Sequence, residues 1–552
     1  MLLPKGPFVR QHLSTHRRKR RVIGALLLAP ALACVLAAAA LPSHSAAGSA
    51  RAAAEPRPLG QVIPAPSSVE PGGKPYRLTD RTPIRVSGGE DAESVGGYLA
   101  GLLRPATGYA LPLTERDGRD GIRLRLAPAE AQLGDEGYRL SSKPGSVTIT
   151  ARKAAGLFHG VQTLRQLLPT AVEQRSEQPG PWLVAGGSIE DVPRYAHRGL
   201  MLDVSRHFFT PDQVKRLIDQ AALYKINKLH LHLSDDQGWR IAIDSWPRLA
   251  EYGGSTQVGG GKGGYYTKDQ YKDLVNYAAS RQMDVVPEID LPGHTNAALA
   301  SYAELNCDGV APPLYTGTEV GFSSLCVNKD VTYDFVDDVI REIAELTPGD
   351  TIHIGGDEAH STSHEDYVAF MKKVQPVVAK YGKKVLGWHQ LAGAEPAPGA
   401  TLQYWGYDAT KPEERQQVVD AAKRGAKVIL SPADRAYLDM KYTKDTPLGL
   451  SWAGYVEVQR SYDWDPGNYL QGLPPESVAG VEAPVWTETL STSAHLDYMV
   501  FPRLPGIAEL GWSPASAHDW ESYRERLAAE APRWDSLGIG YYKSPQVDWP
   551  QG

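Results

Sequence analysis

The chain has 552 residues, of which 42% are hydrophobic and 22% charged, enough for two or three domains with ordinary packed cores. Its net charge is −6, with no basic block beyond the run Arg17 to Arg21, which argues against a nucleic-acid partner. Twelve Trp and 27 Tyr stand against eight Phe, an excess of amphipathic aromatics that suits a sugar-binding cleft.

The first 47 residues read as an export signal. The basic run is followed by an apolar segment from Val22 to Leu41 and then by the small residues Ser45-Ala46-Ala47. A membrane anchor is the alternative, because the apolar run is nearly long enough to span. Pro30 and the Ala-rich, Pro-punctuated tail favour cleavage, so the mature chain is expected to be secreted with no membrane segment. Arg20-Arg21 leaves a twin-arginine route open, and Cys34 lacks a lipoprotein context because more of the apolar region follows it. Cys307 and Cys326 remain. In an exported chain they read as one disulfide, closing a loop at a gain of about 3 kcal/mol in the chain-entropy model.

Residues 48–60 form an Ala-, Arg- and Pro-rich flexible lead-in. Over residues 61–193 short alternating segments read as strands: Ile84-Arg85-Val86, Ile122 to Leu126 and Val147 to Thr150. One helix is expected from Ala154 to Leu168, with Leu157, Val161, Leu164, Leu167 and Leu168 on one face. This is a small α+β domain without an acid pair or histidine cluster, so its expected role is structural.

Residues 194–552 change to strand–helix alternation. Eight strand candidates follow: Gly199 to Val204, Lys228 to Leu233, Asp284 to Ile289, Thr351 to Ile354, Lys384 to Trp388, Thr401 to Trp405, Lys427 to Leu430 and Val478 to Val485. Thr210-Pro211-Asp212-Gln213 and Thr267-Lys268-Asp269-Gln270 are capping boxes that open helices, the first with proline at the first helical position. Val336, Val339, Ile340 and Ile343 mark a third helix. The expected class is α/β, a (β/α)8 TIM barrel preceded by the small α+β domain. A doubly wound sheet is the alternative, but no strand is followed by a glycine-rich phosphate loop.

In a barrel the residues just past each strand share one mouth. Those positions hold Asp203 and Arg206, then Asp235, Asp236 and Trp239, then Glu288, Asp290 and His294, then Asp357 and Glu358. Trp388 and Trp405 follow, then Tyr437, Asp439 and Trp452, then Trp486 and Glu488. Neighbouring acids on a strand point to opposite faces, so Asp357 and Glu358 converge only if Gly355 and Gly356 turn the backbone. The plainer alternative is that the two acids only charge the first turn of a helix. A rim of carboxylates, one arginine and several tryptophans suits a pyranose, and paired acids suit glycoside hydrolysis.

The string His353-Ile354-Gly355-Gly356-Asp357-Glu358 resembles the signature of family 20 glycoside hydrolases, the β-N-acetylhexosaminidases, in the form of the secreted actinobacterial enzymes. Gly199 to His207, Leu229 to Arg240 and Pro287 to His294 resemble that family's first three barrel strands, and Gly156 to Leu164 its non-catalytic domain. The resemblance implies an exo-acting, retaining enzyme in which the substrate's own 2-acetamido oxygen attacks the anomeric carbon. It makes Glu358 the general acid and later base, with a raised pKa, and Asp357 the ionised partner of the acetamido N–H. Tyr437 then bonds the acetamido carbonyl, and Trp388, Trp405 and Trp486 enclose the acetyl group and ring face. Arg206, Asp439 and Glu488 hold hydroxyls, and Trp452 stacks on the next sugar. Asp235, Asp290 and His294 stand behind the pair and tune Glu358. The implied partners are N-acetylhexosamine-terminated oligosaccharides, with no cofactor and no metal. Two rivals are open: a metal-dependent barrel hydrolase built on His230 and His232 or on His360 and His364, and a non-catalytic glycan-binding protein.

Overall fold

The computed structural model describes residues 55–550; the export signal expected over residues 1–47, and most of the lead-in, lie outside them. No helix among the described residues is long and apolar enough to cross a membrane.

The N-terminal region is a seven-stranded mixed sheet whose central strands are Tyr138–Lys143, Ser146–Ala151 and Gly121–Leu126. Two helices pack on it, not the single one expected. Glu90–Thr107 escapes the periodicity test because Gly96, Gly97, Gly101 and Pro105 dilute its helical signal. Gly96 is where it meets the sheet: a Cβ there would come within 2.6 Å of Leu113 and 2.7 Å of Val86. The expected second helix runs Ala154–Leu167, and every residue from Gly156 to Leu167 is buried. One apolar stripe was expected; the polar face is covered too, because it docks on the barrel. Gln166 Nε2 donates to the Leu223 carbonyl (3.2 Å), and Arg165 pairs with Glu173, which also pairs with Arg533.

From His197 the chain forms a closed barrel of eight parallel strands in sequence order. The first, His197–Asp203, pairs with both the second, Lys228–His232, and the eighth, Val478–Val485, which closes the sheet and rules out the doubly wound alternative. Both capping boxes form, with Thr210 accepting from the Gln213 N–H and Thr267 from the Gln270 N–H, each contributing about 1 kcal/mol. The disulfide Cys307–Cys326 is present. It closes the long loop after the third strand, Asp284–Glu288. That loop reaches the barrel mouth.

Candidate active site

The fourth strand, Thr351–His353, is followed by Gly355 at φ 66° and Gly356 at φ 102°. A Cβ on Gly355 would fall 1.7 Å from Asp290 Oδ1, and one on Gly356 would lie 2.9 Å from the Tyr367 hydroxyl. The turn is pinned by the Gly356 N–H donating to Asp290 Oδ1 (3.1 Å) and by the Tyr367 O–H donating to the Gly356 carbonyl (2.7 Å). Asp357 and Glu358 consequently enter the same cavity. They cap no helix: the next one begins at His364, and Ser363 is its cap. Glu358 (φ 44°) and His294 (φ 56°) are both non-glycine residues in the left-handed region. They face each other, an arrangement in which backbone strain is held at the reacting centre.

The cavity has a volume of about 430 Å³ and lies at the barrel mouth. Asp357, Glu358, Arg206 and His294 line its depth. Tyr437, Asp439, Trp486 and Glu488 line one side, with Trp405 and the half-exposed Trp452 nearer the rim. Besides Glu358, nine of the twelve site residues that the resemblance implies line this cavity; Trp388, Asp235 and Asp290 do not.

Trp388 sits one layer lower. It is fully buried, donates its indole N–H to Glu288 Oε1 (2.8 Å) and packs 5.8 Å from the Trp486 ring. It therefore supports the cavity floor from beneath. Asp235 and Asp290 are also behind the wall, Asp290 on Gly356 and Asp235 on His294. His294 itself reaches the cavity, its Nε2 3.3 Å from Glu358 Oε2 and 3.8 Å from Asp357 Oδ2.

Arg206 is buried and held on three sides, by Asp203 (3.3 Å), Asp235 (3.0 Å) and Gln237 (3.0 Å), with its guanidinium 5.0 Å from the Trp486 ring centre. A guanidinium fixed in this way presents its remaining N–H groups in one direction. Two carboxylate oxygens in the site, Asp357 Oδ1 and Asp439 Oδ2, are buried without any hydrogen-bond partner in the protein. Buried acceptors left free inside a cavity are binding groups for a polar ligand.

Burial pushes the Asp357 carboxyl up to about 6, against the lowering effect of His294. Glu358 runs opposite to expectation. Burial raises it, but the hydrogen bond and charge of His294, with Arg206 and His360, outweigh burial and hold it below the usual range. In the free site the proton thus stays with His294, whose own pKa lies well above normal: burial lowers it, and the charges of Asp235 and Asp357 more than offset that. Asp439 is raised well above normal by burial and by Glu488.

Four residues of the cavity wall were not singled out from the sequence: Thr318, Val320, Tyr407 and Leu450. The first two sit in the loop that the disulfide closes, which is the one signal that could have found them. At His230 and His232, two residues of the metal-site reading, the structure shows imidazole–carboxylate pairs, with ligand atoms of His230, Glu288 and His353, and of His232, Glu288 and Asp290, within 4.8 Å of one another. His230 has a carboxylate on each ring nitrogen, Glu482 and Glu288, both at 2.8 Å, and His232 likewise has Glu288 and Asp235, both at 2.6 Å. His360 and His364 are exposed, and the helix starts only at His364, so their spacing does not place them on a common helical face. A larger groove, about 1050 Å³, lies between the helix Glu90–Thr107 and the barrel. Three of its four arginines are taken up by neighbouring acids: Arg165 by Glu173, Arg216 by Asp497 and Arg281 by Asp219; the fourth is Arg175.

Two family models match the chain: "Glycosyl hydrolase family 20, catalytic domain" over residues 195–515 and "Glycosyl hydrolase family 20, domain 2" over residues 60–192. A β-N-acetylhexosaminidase of Cellulomonas fimi is 44% identical over 492 residues, covering 89% of this chain and 97% of that protein. Among solved structures, a mutant β-hexosaminidase of Streptomyces plicatus in complex with the product GlcNAc is 73% identical with a TM-score of 0.89, covering 90% of this chain and 99% of that one. The family 20 β-N-acetylhexosaminidase of Streptomyces coelicolor is equally similar, at 73% identity and TM-score 0.89, covering 90% and 100% of the two chains.

Proposed function

The chain belongs to glycosyl hydrolase family 20, and we propose that it is an exo-acting, retaining β-N-acetylhexosaminidase that removes terminal β-linked N-acetylhexosamine with the help of the substrate's own acetamido group. The observation that carries this reading is the pair Asp357–Glu358 in one cavity, with Asp357 Oδ1 buried and unpartnered. A carboxylate so placed accepts the acetamido N–H. It does not need to attack carbon.

The chemistry follows from the positions. Asp357 fixes the N–H and Tyr437 the carbonyl, so the acetamido oxygen is aimed at the anomeric carbon, and attack from within the substrate carries a large entropic advantage. Glu358 gives a proton to the departing glycosidic oxygen. A bond forms from acetamido oxygen to the anomeric carbon as the glycosidic bond breaks, leaving a cyclic oxazolinium ion. The positive charge that develops on the acetamido nitrogen is stabilised by Asp357 in a site shielded from water. Glu358 then takes a proton from water, which opens the ring from the face the leaving group vacated. Two inversions give net retention.

The cavity has room for one pyranose against Trp486, and Trp452 at the rim offers its half-exposed face to the next sugar. Chitooligosaccharides and other glycans ending in N-acetylhexosamine are the proposed substrates. Secretion is proposed as well, supported by the export-signal pattern in residues 1–47 and by the disulfide, which belongs to an oxidising compartment. The test is hydrolysis of 4-nitrophenyl N-acetyl-β-D-glucosaminide followed by NMR. Initial release of the β-anomer of N-acetylglucosamine is expected; no release, or initial α-anomer, refutes the reading.

A further inference from the structure

The inside of a (β/α)8 barrel is normally filled by branched aliphatic side chains. Here it carries charge. His197 Nε2 meets Glu482 Oε2 at 2.7 Å, and Glu482 Oε1 meets His230 Nδ1 at 2.8 Å. His230 Nε2 meets Glu288 Oε2 at 2.8 Å, and the same oxygen takes His232 Nδ1 at 2.6 Å. His232 Nε2 meets Asp235 Oδ2 at 2.6 Å, and Asp235 Oδ1 takes His294 Nδ1 at 3.1 Å. The last gap, His294 Nε2 to Glu358 Oε2, is 3.3 Å. Imidazoles and carboxylates thus alternate in hydrogen-bonded sequence from His197, which opens on a small pocket at the bottom of the barrel, as far as His294, whose Nε2 makes no hydrogen bond within the protein and faces the acid at the mouth across that gap.

The geometry sets the charges. A neutral imidazole has one N–H to give, yet His230 and His232 each face carboxylates at both nitrogens, so both rings donate twice and are cations. His294 differs, because its partner on Nε2 must itself carry a proton during catalysis. At 3.3 Å, His294 and Glu358 are close enough for one proton to serve both. Asp235 pulls it towards His294. Two cations brace Asp235 from behind, His232 (2.6 Å) and Arg206 (3.0 Å), and each weakens that pull.

We propose that His232, kept cationic by Glu288, is a positioning residue for the general acid: by offsetting the charge of Asp235 it lets the shared proton cross from His294 to Glu358. The charged groups facing His232 are Glu288 from the third strand and Asp235 from the loop after the second, with Asp290 nearby; the edge of Trp486 closes the remaining side. Those facing His294 and Glu358 are Asp235, Asp236, Asp290, Asp357, Arg206 and His360. Among all of these only His232 and Arg206 are braced on Asp235 from the side away from the reacting proton. Apolar packing could fill a barrel interior as stably as buried ion pairs do, so a purely structural role would leave the run of pairs that ends on His294, 3.3 Å from Glu358, without purpose.

This inference rests on the reading of Glu358 as the general acid. The test is the pH dependence of His232→Gln, which keeps a donor for Asp235 and removes the charge. With that cation gone, Asp235 holds the proton on His294 more tightly. The alkaline limb of kcat/KM should move up by about half a pH unit or more. The kcat for N,N′-diacetylchitobiose should fall about tenfold further than for the aryl glycoside, whose leaving group needs little protonation, with KM little changed. His230→Gln, one link further down, should move the limb the same way by less, and carries the test if the first variant does not fold. A limb that stays in place or moves down in the folded variant overturns the proposal. A wild-type enzyme that cleaves neither substrate overturns the reading of function instead.

Discussion

The groove between the N-terminal helix and the barrel and the cavity at the barrel mouth both hold arginines, carboxylates and tyrosines, and only the second reads as a site for chemistry. The groove between the N-terminal helix and the barrel is the larger, about 1050 Å³ against about 430 Å³ at the barrel mouth. In the groove Arg216 is bound at both Nη atoms by Asp497 (2.6 and 2.7 Å) and Glu173 lies between Arg165 and Arg533, while the neutral Gln220 Oε1 is left without a partner. At the mouth, Asp357 Oδ1 and Asp439 Oδ2 have no partner, and two non-glycine residues hold left-handed backbone. Charged groups that satisfy one another make a joint; buried carboxylates left free, on a strained backbone, make a binding site. Size does not distinguish the two.

The widest gap between the two regions should come from Glu358→Gln. On an unactivated disaccharide it should lose about 10³–10⁴-fold in kcat, and far less on a nitrophenyl glycoside, as steady-state kinetics on both substrates will show. Next is Asp357→Asn, expected to cost about 10²–10³-fold on both, because the lost charge stabilises the oxazolinium whatever the leaving group. The pH profile should follow. Asp357 titrates at about 6 in the free site, and it must be ionised to act, so kcat/KM should fall as pH drops through that value. The loss approaches about tenfold per pH unit below it, and in Asp357→Asn this limb should vanish. The smallest effect on turnover belongs to the groove. Glu173→Gln leaves Arg165 and Arg533 buried without their counter-ion, which should cost about 3–5 kcal/mol in denaturant unfolding. Turnover per folded molecule should be unchanged. If it fell as for Asp357→Asn, the distinction between joint and site would collapse.

Much of this was legible in the sequence where local rules govern. The two capping boxes, the eight strands and the glycine turn before Asp357 each follow from the backbone needs of a few neighbouring residues. The disulfide followed from counting cysteines in a chain read as exported. What escaped depends on residues far apart in the chain. The helix Glu90–Thr107 is hidden by glycines whose reason is a sheet they press against. The polar face of Ala154–Leu167 looks solvent-facing until the barrel covers it. The direction of the Glu358 shift could not be foreseen from a motif, since it depends on His294 arriving from the loop after another strand. Trp388, rightly placed at a strand end, turns out to lie under Trp486, because its indole is drawn down to Glu288.

The central claim is that the sugar supplies the attacking oxygen while Asp357 and Glu358 hold it in place and move the proton. The most direct measurement compares kcat/KM for 4-nitrophenyl β-D-glycosides that are alike except for the group at carbon 2: acetamido, free amine or hydroxyl. The acetamido substrate should be cleaved at least about 10³-fold faster than either of the others. Equal rates would mean that the protein provides the nucleophile itself, and would contradict the mechanism.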